Sequence, residues 1–307
     1  MKKRWIVAVI FTVLLAGVVS CLSPESLYRM AIDAERKSSG LTKIDIQADD
    51  HRIVYLEGGK GETVVLLHGY TGNKDNWTRF AKYLKGRYHL VIPDIPGFGE
   101  SSKLPAASYD VESQVERIDQ FLKVLKIERF HLAGNSMGGM IAAVYATKYP
   151  GKVASLALFD TGGIASAKKS EFAARLEKGQ NALLINSEED FDRVIKLAFV
   201  NPPYVPASIK KMMVADAIAS AAFNKKILND MMLKPIALEP YLPLIQAPVL
   251  ILWGDSDRLT DVSGVSVLEK SLKGYQTVVL KDTGHVPMVE KPKESASFYV
   301  DFLKDYH

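Results

Sequence analysis

From residue 41 onward the chain alternates short runs of apolar and β-branched residues with stretches of helical periodicity, and few folds accommodate that order. The runs at 63–67, 89–92, 130–133, 153–159, 249–253 and 277–280 are apolar with little interruption, as strands are when helices cover both faces of their sheet. Helical spacing fills the intervals near 74–85, 111–126, 139–149, 262–272 and 293–304. Strand and helix in repetition predict an α/β fold with a mostly parallel central sheet and helices on both faces. Residues 43–56 read as an opening antiparallel pair.

One segment breaks the alternation. Between Thr161 and Ala247 there are only helical patterns, near 168–178, 187–199, 207–222 and 224–234, punctuated by Pro202, Pro203, Pro206 and Pro235. A helical block inserted between two strands predicts a cap over the carboxyl ends of the sheet, where open α/β folds bind ligands. The expected organisation is a core in two parts, 41–160 and 248–307, with a cap over 161–247.

The strongest chemical signal is Gly134-Asn135-Ser136-Met137-Gly138, directly after the run at 130–133 and before a helix. A serine at such a sharp strand-to-helix turn is pushed clear of the sheet, and the flanking glycines let the two backbones approach. Ser136 is the expected nucleophile. It needs a base, and the base needs a carboxylate to orient its imidazole. Of six histidines, His285 follows the last apolar run and lies on a loop at the strand ends, whereas His51, His89 and His131 fall in or near strands and His307 is terminal. For the acid, Asp257 follows the run at 249–253 and keeps the order serine, aspartate, histidine. Asp255, readable as a turn-capping residue, and Asp160, at the end of the run at 153–159, are its competitors.

His68-Gly69-Tyr70-Thr71-Gly72 also follows a strand. The backbone N–H groups of Tyr70 and of Met137, the residue after the nucleophile, are the expected oxyanion donors. Because those donors are backbone groups, the Tyr70 side chain is not required by this reading. Asp94 through Ser101 lacks the Gly-Lys-Ser/Thr ending of a phosphate loop and reads as a structural turn at the rim.

The amino terminus is a separate segment. Lys2, Lys3 and Arg4 precede an uncharged apolar run that ends in Val18-Val19-Ser20-Cys21, the pattern of a signal peptide over 1–20. Its end resembles a bacterial lipobox, which implies cleavage before Cys21, lipid attachment to that cysteine and anchorage in the cell envelope. The 18 residues from Trp5 to Leu22 also approach the ~20 needed to span a bilayer, so an uncleaved anchor stands as an alternative, as does a plain cleaved signal. All three place the domain outside the cytoplasm. Residues 21–40 read as a juxtamembrane helix or linker, capped by Ser23, with Leu27, Met30, Ala31 and Ala34 on one face and Arg29, Asp33 and Arg36 opposite. Such a helix can lie on a membrane, pair with a second copy into a homodimer or pack on its own domain.

Composition removes other classes. Cys21 is the only cysteine, so neither an intramolecular disulfide nor a Cys-rich zinc site is available. The formal charge of +4 owes much to the three basic residues at the start and gives nucleic-acid binding no support.

Taken together, His68-Gly69, Asp94 through Ser101, the Ser136 elbow, Asp257 and Gly284-His285 resemble the α/β-hydrolase family over essentially all of 41–307. The stretches Gly72-Asn73-Lys74-Asp75-Asn76-Trp77, Leu132 through Gly139 and Gly284-His285-Val286-Pro287-Met288 are similar to the bacterial family V lipases and their membrane-anchored phospholipase A relatives. The resemblance implies a serine lipase or esterase acting on acylglycerol, phospholipid or similar esters, with no metal and no organic cofactor. Two alternatives remain: a carbon–carbon bond hydrolase of ring-cleavage products, which keeps the same serine machinery, and a non-catalytic envelope protein that binds lipid. Thr260-Asp261 departs from the proline that many relatives carry after the acid. Phe172, Leu183, Phe191, Phe199, Tyr204, Met213, Phe223, Met231 and Met232 are among the cap residues available to line an acyl tunnel, although packing the cap consumes about half or more of such residues.

Overall fold

A computed structural model of the chain describes residues 23–306. Its centre is one sheet of eight strands: β1 Leu41–Ala48, β2 His51–Gly59, β3 Glu62–Leu67, β4 Tyr88–Pro93, β5 Phe130–Asn135, β6 Val153–Phe159, β7 Val249–Gly254 and β8 Tyr275–Leu280. Their spatial order is β1-β2-β4-β3-β5-β6-β7-β8. The β1–β2 and β2–β4 pairs are antiparallel and every other pair is parallel.

The helices are α1 Pro24–Ser38, α2 Thr78–Ala81, α3 Val111–Val124, α4 Met137–Lys148, α5 Glu171–Leu176, α6 Glu188–Ala198, α7 Ala207–Leu233, α8 Val265–Ser271, α9 Pro287–Glu290 and α10 Pro292–Lys304. The period of two along each strand divides the core between the two sheet faces. Val65 and Leu67 of β3 join one apolar cluster with Ile141 and Tyr145 of α4; Val64 and Leu66 join the other with Phe80 of α2 and Tyr299 of α10. Every parallel strand from β3 to β7 is thus buried on both sides, whereas the edge strand β8 leaves Tyr275 and Val279 at the surface.

Two details differ from the sequence expectation, and a third bears on a point it left open. The patterns at 207–222 and 224–234 are one continuous helix, α7, of 27 residues. No glycine or proline interrupts it, and Phe223 packs its ring 5.3 Å from that of Tyr109, so tertiary contact carries the helix through the point where its pattern changes phase. Near 74–85 there is a 3₁₀ turn, Lys74–Trp77, followed by the single turn α2. Finally, Ser23 caps α1 as expected, accepting from the Ser26 N–H at 3.2 Å, and the apolar face does not turn inward. Met30, Ala31 and Ala34 are exposed while Arg36 is buried. The guanidinium makes two 2.7 Å bonds to the carboxylate of Asp75, and this bidentate pairing fixes which face docks. The helix also packs on α7, where burial and then Asp216 push the Tyr28 phenol up to about 12.

The signal segment, Trp5 to Leu22 and Cys21 lie outside the described residues. Among those described, no helix is long and apolar enough to cross a membrane.

Candidate active site

Ser136 stands between β5 and α4 with φ 55° and ψ −116°, a conformation that side-chain-bearing residues avoid at a cost of about 1–3 kcal/mol. Surrounding bonds impose it. Its N–H donates to Phe159 O at 3.0 Å, and its carbonyl accepts from Met140 and Gly162, both at 3.1 Å. A Cβ at Gly134 would overlap the carbonyl oxygen of Gly138, and one at Gly138 would overlap those of Leu67 and His68. Asn135 and Met137 are buried on either side, and Ser136 between them is partly exposed.

His285, on the loop after β8, and Asp257, on the loop after β7, are both buried and are brought together: Nδ1 of the histidine lies 2.7 Å from Oδ2 of the aspartate. Asp257 accepts three further bonds, from Leu259 N–H at 2.7 Å, Thr260 N–H at 3.1 Å and the Thr260 hydroxyl at 2.6 Å. Four donors make its carboxyl an acceptor throughout, so the Nδ1 position of His285 carries hydrogen.

The competing carboxylates have other partners. Asp255 is exposed and accepts from the Ser256 hydroxyl at 2.8 Å and the Thr283 N–H at 3.4 Å, which ties two loops together. Asp160 is fully buried at the end of β6 and accepts from Gly254 N–H at 2.8 Å. One oxygen each of Asp160 and Asp257 and a ring nitrogen of His285 lie within 4.8 Å of one another. These three side chains form a potential metal-binding group by residue type, but the histidine and Asp257 are already hydrogen-bonded to each other.

Three residues that the sequence pattern did not single out hold the histidine loop and the acid. Asn135 donates through Nδ2 to His285 O at 2.9 Å. Glu290 of α9 accepts from Gly284 N–H at 2.8 Å and from the cap residues Val200 and Asn201 at 3.1 and 2.6 Å. Thr260 supplies the hydroxyl to Asp257 noted above, and its only sequence signal is the three-residue spacing at which a hydroxyl can turn back on a preceding side chain. The helical segment between β6 and β7 adds a carbonyl, since His285 N–H donates to Ala198 O at 2.8 Å.

The loop after β3 turns at Gly69–Gly72, with Gly72 N–H donating to Gly69 O at 3.1 Å and Thr71 at φ 61°. The N–H groups of Tyr70 and Met137 donate to no protein group among the described residues. His68 is structural: Nδ1–H donates to Gly69 O at 2.8 Å, Nε2 accepts from Ile95 N–H at 3.0 Å, and burial lowers its pKa. The Tyr70 hydroxyl donates to Asn224 O of α7 at 2.7 Å, so one residue joins this loop to the cap. Asp94 ties the rim turn to the same loop, accepting from Lys74 N–H and Nζ, both at 2.7 Å, and from Glu100 N–H at 2.8 Å.

Residues 62–292 match the α/β-hydrolase fold family. The chain belongs to the α/β-hydrolase family. It is similar to Lipase 1 of Psychrobacter immobilis, 38% identical over 98% of this chain and 96% of that protein. It is also similar to the human monoacylglycerol lipase ABHD6, 30% identical over 96% of this chain and 92% of the relative. Among solved structures, a membrane phospholipase A described as a bacterial virulence factor superposes with a TM-score of 0.92 at 44% identity, covering 99% of both chains. This α/β-hydrolase is a carboxylic ester hydrolase of the lipase and esterase kind.

The helical segment between β6 and β7 divides its apolar residues. Phe172, Leu183 and Phe199 pack around Leu197, Ala198 and Leu259, beside the Asp257 loop. Tyr204 and Met232 are exposed to solvent, Tyr204 just before α7 and Met232 in its last turn, so these two do not line a tunnel. A surface cleft of about 440 Å³ beside α5 and α6 is lined mainly by charged residues, including Arg175, Arg193 and Arg258, together with Leu197.

Proposed function

We propose that this ester hydrolase is a membrane-associated lipase that cleaves acylglycerol or phospholipid esters through Ser136, His285 and Asp257. The observation that carries the reading is the 2.7 Å bond from His285 to Asp257, which leaves the other ring nitrogen free at the end of the sheet where a strained, partly exposed serine stands. In the reaction the Ser136 oxygen bonds to the ester carbonyl carbon while its proton passes to Nε2 of His285. Asp257 faces the imidazolium that forms. The N–H groups of Tyr70 and Met137 bind the oxyanion, each worth roughly 10²–10³ in rate. His285 returns the proton to the departing alcohol or lysolipid, and water, deprotonated by the same ring, releases the fatty acid from the acyl-enzyme.

The named activities of the similar proteins support a lipid ester. The amino-terminal pattern with Cys21 supports a bacterial envelope address, and the exposed face of Met30, Ala31 and Ala34 on α1 is available to a membrane or a second copy. Comparison of the wild type with Ser136→Ala on a p-nitrophenyl ester and on a panel of glycerides and phospholipids tests the proposal. Equal rates for the two proteins would refute the serine mechanism; turnover of a ring-cleavage dienoate with negligible ester hydrolysis would favour the carbon–carbon hydrolase. Mass spectrometry of the mature amino terminus tests the anchor, since an intact Met1 excludes lipid on Cys21.

A further inference from the structure

We infer that Asp160 is held as a neutral carboxylic acid whose O–H donates to the Asp257 carboxylate, which makes it a positioning residue for the catalytic acid. The inference rests on the Ser136–His285–Asp257 reading and deepens it.

The argument begins with hydrogen-bond supply. Asp257 receives four donors, from Leu259, Thr260 twice and His285. Asp160, wholly buried a few ångströms away, receives one, the Gly254 N–H on Oδ1. Its Oδ2 is buried and has no donor among the described residues. A buried ionised oxygen without a donor is costly. A hydrogen on Oδ2 removes the deficit by turning an orphaned acceptor into a donor, and the Asp257 carboxyl is the acceptor within reach.

Charge points the same way. The ionisable groups facing Asp160 are Asp257 from the loop after β7, Glu290 from α9 and His285 from the loop after β8. Two of these are acids. Burial first, and then the charge of Asp257, push the Asp160 carboxyl well above the usual carboxylate range. The negative charge of the pair therefore sits on Asp257, where the donors are. Asp160, Asp257 and His285 together carry one negative charge at rest and none when His285 becomes imidazolium. If Asp160 were also ionised, the ring would face two negative charges and would release its proton to the leaving group less readily.

Asp160→Asn and Asp160→Leu separate the possibilities. Asparagine is uncharged and keeps a donor toward Asp257; leucine is uncharged and has none. We expect the acid limb of the kcat/KM profile on a p-nitrophenyl ester to stay in place for Asp160→Asn. For Asp160→Leu it should move to higher pH by about half a unit or more, because Asp257 then pulls harder on the Nδ1 proton, and Asn should restore most of the activity that Leu loses. The infrared spectrum of the wild type should contain the carbonyl stretch of a buried un-ionised carboxylic acid that Asp160→Asn lacks. A shift of the limb to lower pH in Asp160→Asn would mean that an ionised carboxylate had been removed and would overturn the inference. So would limbs unmoved in both variants, or absence of the carbonyl band. Should Asp160→Leu fail to fold, the Asn profile and the infrared band still decide. Full activity in Asp257→Asn would instead defeat the triad reading, an outcome distinct from the state of Asp160.

Discussion

Replacing Lys74 with methionine isolates the charge that holds the rim of the active site. The Lys74 side chain is 2% exposed and that of Asp94 0%, and the ammonium makes bonds of 2.7 Å to Asp94 and 2.8 Å to Glu100. Methionine keeps the length of the stem and removes the ammonium, with its charge and its two hydrogen bonds. Breaking a buried ion pair on one side typically costs about 3–5 kcal/mol, because the remaining charge stays in a dry site. Two features place this case at the lower end. Asp94 keeps the N–H groups of Lys74 and Glu100, and Glu100 is 45% exposed and can turn to water. The expected loss at neutral pH is about 3 kcal/mol. Urea unfolding followed by tryptophan fluorescence measures it, with Trp77 buried on the same turn, provided that the slope with urea is unchanged. Asp94→Asn should cost less in the Lys74→Met background than alone, with a coupling of about 1 kcal/mol or more. A loss below about 1 kcal/mol, or strict additivity of the two changes, would refute the claim that charge rather than backbone bonding holds this turn.

Gly138→Ala should displace Ser136 through the overlap with Leu67 and His68, lowering kcat by about 10²-fold in a protein that still folds; wild-type kcat would show that the elbow can relax. Tyr70→Phe removes the bond to Asn224 O but not the Tyr70 N–H, so hydrogen exchange in α7 should quicken by the loss of about 1 kcal/mol while kcat changes only a few-fold. Against the opposing effect of burial, hydrogen bonds from Lys43 and Lys74 hold the Glu100 carboxyl at about 2. Its contribution to stability is present above the unfolded carboxylate value and lost as pH falls through about 2, so Tm of the wild type should fall more steeply than that of Glu100→Gln between pH ~4 and ~2.

Much of the framework was legible because it depends on local pattern. The apolar run at 153–159 coincides with β6, and the turn residues around Ser136 announce themselves by the glycines that strand and helix require. Positions at strand ends also converge by topology: Asp257 and His285 follow neighbouring parallel strands, and their side chains are 2.7 Å apart. What was not legible depends on contacts remote in sequence. Asn135 reaches a carbonyl 150 residues away, and Glu290 joins the histidine loop to the cap. Arg36, which the sequence places opposite the apolar stripe of α1, docks the helix through an ion pair with Asp75, 39 residues on, and the sequence left open which face packs. Periodicity carries no information about such partners.

The strained backbone of Ser136 sets stability and activity against each other at a single codon. Glycine enters that conformation without the penalty, so Ser136→Gly would relax the turn by up to about 1–3 kcal/mol while removing the oxygen that the proposed mechanism uses. A library screened for thermal resistance or expression alone would therefore enrich inactive sequences at this position, and a lineage released from the need to hydrolyse esters would gain by losing the serine. On the proposed mechanism, selection for turnover would be what retains it.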